Sequence, residues 1–188
     1  SLAVKEGDQI VPLINRIAKQ FQHVVITQDW HTADHISFAS QHAGKKPFET
    51  VKLAYGTQVL WPDHCVQGTE GAALHKDLSI PGVYAPPGSP EGYRKGVDSY
   101  SAFLEADKKT QTGLGGYLKQ RGLKRIYFTG LATDFCVGWS ALDARKQGFE
   151  ALVIEDACRG IDVQGSLAKA WADMKAAGVK RIQSTDLT

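Results

Sequence analysis

The amino-acid sequence predicts an α/β domain, a doubly wound and mostly parallel sheet flanked by helices on both faces. Three observations carry that expectation. Short apolar runs at residues 24–27, 126–129, 151–154 and 181–184 alternate with longer stretches of helical periodicity. Asp29 and His31 follow directly on the first run, at the carboxyl edge where open α/β sheets place their ligands. A glycine, Gly130, closes the second run just before a helical pattern that contains Cys136.

In chain order, residues 7–21 read as a helix, because Ile10, Val11, Leu13, Ile14, Ile17 and Ala18 form one apolar stripe. The strand at 24–27 follows. From His31 to Gly92 the pattern is irregular, with Pro-Pro-Gly and Ser-Pro signals, and long stretches of this kind tend to be functional. A strand is expected near Tyr93 and a helix over 113–121. After the strand at 126–129, a helix over 133–147 stops at Gly148. The strand at 151–154, a helix over 165–177 and a last strand at 181–184 complete the alternation. In a doubly wound fold the helix at 7–21 is a crossover between two strands. No strand pattern precedes it, so a further strand, numbered separately or supplied by another chain, is expected beside it. The chain is read as one domain over residues 1–188, truncated at its N-terminus.

Composition excludes several classes. With 188 residues and a formal charge of +2, acids and bases interspersed, there is no nucleic-acid footprint. No apolar run approaches the roughly 18 residues of a membrane span. Three cysteines at irregular spacing argue against a disulfide framework and for a reducing, cytoplasmic compartment.

Two clusters carry chemistry. Asp29 and His31, two apart in extended chain, project to one side of a strand and together suit a divalent metal. His64, in Trp61-Pro62-Asp63-His64-Cys65, is either a hydrogen-bonded loop histidine or the third ligand of that site. Three ligands with open positions is how a catalytic metal is held, and no CxxC pair points to a structural zinc. Cys136 falls in the first turn of the helix at 133–147, with Thr133 or Asp134 as N-cap. There the helix dipole favours a thiolate and backbone N–H groups can hold an oxyanion. The alternative is a buried structural cysteine, the role assigned to Cys158.

These residues, together with His35-Ile36-Ser37-Phe38, Arg94-Lys95-Gly96, Asp98-Ser99-Tyr100-Ser101-Ala102-Phe103 and Gly130-Leu131-Ala132-Thr133-Asp134-Phe135-Cys136-Val137, resemble the nicotinamidase (pyrazinamidase-type) branch of the isochorismatase-like cysteine hydrolases. The resemblance runs through nearly the whole chain in order. It implies that Cys136 is the nucleophile and Lys95 the lysine of its triad. It implies one divalent ion, zinc foremost, with iron and manganese as alternatives, on Asp29, His31 and His64. Trp61 and Tyr100 are implied as aromatic walls for a pyridine ring, and the Leu131–Ala132 peptide as cis. The N–H groups of Ala132 and Cys136 are implied as the oxyanion hole. His35 is placed at the site rim, with a place as a fourth ligand of the ion as the alternative. The implied activity is hydrolysis of nicotinamide, and of pyrazinamide, to the acid and ammonia in NAD salvage.

The sequence departs from the pattern twice. The triad's aspartate, expected at the end of a first strand, is not in the chain, and the stretch between Gly96 and Asp98 is short. Another small-amide hydrolase of the superfamily, or a non-catalytic binding protein, are the alternatives. Whether the chain forms a homo-oligomer is left open.

Overall fold

The computed structural model describes residues 2–80, 90–91 and 94–187. A 3-10 turn at Gly7–Ile10 leads into α1 (Val11–Ala18), followed by β1 (Gln28–Asp29), β2 (Thr50–Leu53), β3 (Gly56–Val59) and β4 (Pro90–Glu91). Then come α2 (Leu114–Gln120), β5 (Arg125–Leu131), α3 (Gly138–Lys146), β6 (Glu150–Arg159), α4 (Ser166–Ala176) and β7 (Lys180–Ile182). Strands β5, β6 and β7 pair parallel in that order, β1 pairs parallel with β4, and β2 and β3 make an antiparallel hairpin.

Period-2 alternation along β6 explains the layering, since successive side chains leave a strand on opposite faces. Ala151 and Val153 join Phe103, Leu114, Leu118, Val137, Ala141, Ala144, Phe149 and Met174 in the main core beneath α2, α3 and α4. Ile154 turns the other way and meets Ile17, with Leu13 and Ile14 of α1 packed alongside. Both faces of the sheet are therefore covered, as the α/β alternation predicted.

The boundaries differ from the sequence reading in instructive ways. Pro12 lacks an N–H, and the helix expected over 7–21 opens as a 3-10 turn and is α-helical over Val11–Ala18. Of the strand expected at 24–27 Val24 alone makes a bridge, and the ladder runs at Gln28–Asp29, opposite Pro90 and Glu91. Extended chain becomes strand only where its N–H and C=O groups find a ladder partner. Within the stretch read as irregular, β2 and β3 form a hairpin whose register runs from Thr50–Val59 to Leu53–Gly56. Gly56 supplies the positive φ of +135° after the turn. Ser184, read as the end of the last strand, leaves the sheet because Asp156 takes both its backbone N–H and its hydroxyl. The strand expected near Tyr93 lies outside the described residues. Residues 2–6 form no strand ahead of α1, and among the described residues no ladder joins β1 to β5.

Phe103 is 1% exposed, with its ring centroid 6.4 Å from that of Phe128 and 6.0 Å from that of Phe149. Phe103→Ala should therefore cost about 3–5 kcal/mol of unfolding free energy, read as a fall in the urea midpoint. A loss well below 1 kcal/mol would show that this core does not behave as packed.

Candidate active site

Two loops are laced together at the carboxyl edge of β1. The His31 N–H donates to the Cys65 carbonyl (3.0 Å), and the Gln67 N–H donates back to the His31 carbonyl (2.8 Å). Further along, the Trp61 N–H bonds the Ser37 carbonyl and the Ala39 N–H the Trp61 carbonyl, both at 2.8 Å. This parallel pairing brings the Asp29–His31 corner against the Trp61–His64 corner, some thirty residues away in sequence.

Asp29, His31 and His64 each offer a ligand atom, and the three atoms lie within 4.8 Å of one another. Their state fits a divalent cation. The His64 Nδ1–H donates to the Pro62 carbonyl (2.8 Å), leaving Nε2 toward Asp29 Oδ2 at 3.8 Å. Burial, and then the charge of His31, push the His64 imidazole down to about 4, so it is neutral and its lone pair is available. His31 is 3% exposed, and its Nδ1 is buried without a hydrogen-bond partner. A buried imidazole nitrogen with no hydrogen-bond partner, on a histidine beside an acid and a second imidazole, suits a divalent cation. Phe38, fully buried, packs its ring 5.4 Å from that of His31 and 5.5 Å from that of His64.

A second group, His31, His35 and Asp98, is equally close, but its atoms are already engaged. The His35 Nε2–H donates to the Val97 carbonyl (3.2 Å), so Nδ1 accepts from the Ser37 hydroxyl (2.7 Å). That tautomer has no lone pair left for an ion. His35 was expected at the site rim; it is instead fully buried, with its ring 4.5 Å from that of His31, as a brace beneath it.

Across from these residues lies an aromatic clamp. The Trp61 Nε1–H donates to the Tyr100 hydroxyl oxygen (2.7 Å), with the two rings nearly perpendicular. Phe135, which the sequence reading left without a role, closes the third side at 4.8 Å from Trp61 and 5.6 Å from Tyr100. Burial, and then the charge of Asp98, hold the Tyr100 phenol well above its ordinary value, so it stays protonated. Next to Phe135 stands half-buried Cys136, close enough to act electrostatically on Tyr100.

Cys136 is carried by a π-helical turn, Thr133–Val137, and not by the first α-turn as expected. The N–H groups of Phe135 and Val137 both donate to the Ala132 carbonyl at 3.1 Å, and α3 starts only at Gly138. The Leu131–Ala132 peptide is cis, and Gly130 before it has φ +114°. Neither Thr133 nor Asp134 caps the helix. The buried Asp134 carboxylate instead accepts from the N–H groups of Ile161 and Asp162 and from the Ser166 hydroxyl, pinning the turn to the loop after β6. Lys95 is exposed at the edge of the site, its ammonium bonded to Asp34 at 2.6 Å. The structure thus unites the acid, the two histidines, the two aromatic walls and the cysteine elbow, and leaves the lysine paired elsewhere. Cys158, read as structural, is buried in β6 with its thiol toward the Phe128 carbonyl.

A family model described as the isochorismatase domain matches residues 1–186. A nicotinamidase of Acinetobacter baylyi is 54% identical over 187 residues, covering 100% of this chain and 86% of that protein. Among solved structures, an Acinetobacter baumanii nicotinamidase/pyrazinamidase is 59% identical with a TM-score of 0.97, covering 100% of this chain and 89% of its own. An L. infantum protein in complex with nicotinate is 36% identical with a TM-score of 0.85, over 100% and 86% of the two chains. A Pyrococcus horikoshii pyrazinamidase in complex with zinc is 32% identical with a TM-score of 0.75, over 97% and 89%.

Burial pushes the thiols of Cys65 and Cys158 up, to about 11 and about 12, so both are essentially all thiol at neutral pH. Brief iodoacetamide treatment at pH 7.5 should therefore modify Cys136 first, as read by peptide mapping. Equal labelling of the three cysteines would refute the assignment of Cys136 as the reactive one.

Proposed function

The chain belongs to the isochorismatase domain family, and from that premise we propose that it hydrolyses nicotinamide to nicotinic acid and ammonia, with Cys136 as nucleophile beside a divalent metal site. The observation that carries this reading is the nearness of three groups: the Asp29–His31–His64 donor set, the Trp61–Tyr100–Phe135 rings, of which Trp61 is on the segment that also carries His64, and the Cys136 turn next to Phe135. Support comes from the relatives, which are nicotinamidases, and from the solved nicotinate and zinc complexes. Zinc is the preferred ion on the last of these grounds.

The three aromatic rings suit a flat heteroaromatic substrate and exclude water from its faces. When bound, the ion supplies an anchor for the ring nitrogen, held by Asp29, His31 and His64. With the ring so placed, the carboxamide carbon faces Cys136. The thiolate Sγ bonds to that carbon, the carbonyl electrons move onto oxygen, and the backbone N–H groups of Ala132 and Cys136 receive the oxyanion. As the carbonyl re-forms, the C–N bond breaks and nitrogen leaves as ammonia, taking one proton. Water then adds to the thioester, releasing nicotinic acid and restoring the thiol. The resemblance gives the proton transfers to an aspartate and gives Lys95 the task of favouring the thiolate, for which its ammonium would exchange Asp34 for the cysteine. Nicotinic acid so formed would enter NAD salvage. None of Cys65, Cys136 and Cys158 forms a disulfide, which fits a cytoplasmic setting.

Two variants separate the roles. Cys136→Ala should abolish ammonia release from nicotinamide while retaining about one metal ion per chain by elemental analysis. His64→Ala should lower that occupancy. Full metal content in the His64 variant sinks the ligand assignment, and sustained ammonia release by the Cys136 variant sinks the thioester mechanism.

A further inference from the structure

We infer that Asp98 and Gln58 are positioning residues that fix the metal-facing state of His31 and tie it to the aromatic clamp. Both lie outside the donor set and the clamp, and both are almost fully buried, at 1% and 2% exposure. The inference rests on the metal site proposed above and deepens it.

Asp98 Oδ1 lies 3.8 Å from His31 Nε2. An ionised carboxylate can only accept, and a neutral imidazole carries one N–H. With Asp98 on that side, the hydrogen of the neutral imidazole is placed on Nε2, which leaves the lone pair on Nδ1, the nitrogen that is buried without a hydrogen-bond partner. A carboxylate behind a ligating histidine both orients the ring and raises its basicity. Such a carboxylate orients the ring only if its own oxygens are fixed. Here the Gln58 amide donates to Asp98 Oδ2 at 2.6 Å and the Ser99 N–H to Oδ1 at 2.9 Å.

Gln58 faces the other way as well. Its amide nitrogen lies 2.9 Å from the Tyr100 hydroxyl, the same oxygen that accepts from Trp61, and 2.7 Å from the Val59 carbonyl. The Tyr55 hydroxyl donates to Gln58 Oε1 at 3.0 Å, which sets which end of the amide faces Asp98. A run of buried side chains thus joins His31 to Asp98 at 3.8 Å and, by hydrogen bonds, Asp98 through Gln58 to the Tyr100–Trp61 pair. One buried amide holds the ion's ligand and the ring's walls in a single register.

The test is zinc affinity of the apo protein by chelator competition, a readout independent of turnover. Asp98→Asn and Gln58→Leu should each weaken zinc binding by roughly 10- to 100-fold. In Gln58→Leu the KM for nicotinamide should also rise, because Tyr100 loses a donor. A residue that merely fills the core would leave zinc affinity unmoved. Affinity within twofold of the unaltered protein in both variants overturns the inference. If circular dichroism shows either variant unfolded, Tyr55→Phe decides, since it removes one hydroxyl and keeps the ring. There, roughly threefold weaker zinc, the loss of part of a hydrogen bond, supports the inference, and unchanged zinc affinity overturns it. Failure of the unaltered protein to release ammonia would sink the proposed function alone, since the zinc measurements do not depend on turnover.

Discussion

The rest of the site depends on the backbone pairing between the loop after β1 and the loop that carries Trp61 and His64. Four main-chain hydrogen bonds, two at His31 and two at Trp61, set the register between segments that share no regular element. Because each of these residues both gives and receives a bond, a slip of one residue would cost all four and would leave buried donors unpaired. The same register decides that His64 faces Asp29 and His31, and that the Trp61 ring faces Tyr100. The candidate metal donors and the proposed substrate walls are consequences of one interlock.

Burial then gives these groups their chemical character. The imidazole of His64 is kept neutral by desolvation, and the Tyr100 phenol is kept protonated by desolvation reinforced by Asp98. Asp98 shows the opposite outcome. Burial pushes its carboxyl up, yet the neighbouring His31 and His35 imidazoles and the Gln58 hydrogen bond outweigh burial and hold it below the ordinary value. A low-dielectric interior strengthens such contacts and penalises any that is missing. This explains why Ser37, Gln58 and Ser99 are spent on His35 and Asp98.

Cys136, the proposed nucleophile, is placed by a different set of contacts. The π-helical turn that carries Cys136 is closed on itself by the Ala132 carbonyl and pinned from outside by Asp134, which bonds the loop leading into α4. Gly138 allows α3 to begin tightly against this turn. A Cβ there would sit 2.8 Å from the Thr133 carbonyl oxygen and in contact with Ala170 and Met174 of α4. The cysteine elbow is therefore held by the packing of α3 on α4, while the candidate metal donors are held by the loop interlock. Phe135, touching both Trp61 and Tyr100, is where the two constructions meet.

Much of this was legible in the sequence. Apolar runs of strand length and stripes of helical period located β5, β6 and all four helices, because those patterns follow from backbone geometry alone. Asp29 and His31 drew notice because they follow directly on a strand pattern, His64 because it stands in a Pro-punctuated aromatic segment, and Cys136 because it opens a helical pattern after an apolar strand. Sequence could not show which extended residues would find ladder partners, so the first strand moved from 24–27 to Gln28–Asp29 and the hairpin at Thr50–Val59 was missed. It could not show that Asp134 bonds a loop instead of capping a helix, or that Lys95 pairs with Asp34, since both partners are chosen by proximity in space. Gln58, Asp98 and Phe135 carry no signal in isolation. A glutamine, an aspartate and a phenylalanine acquire roles only when burial removes water as their partner and folding puts His31, Tyr100 and Trp61 within reach.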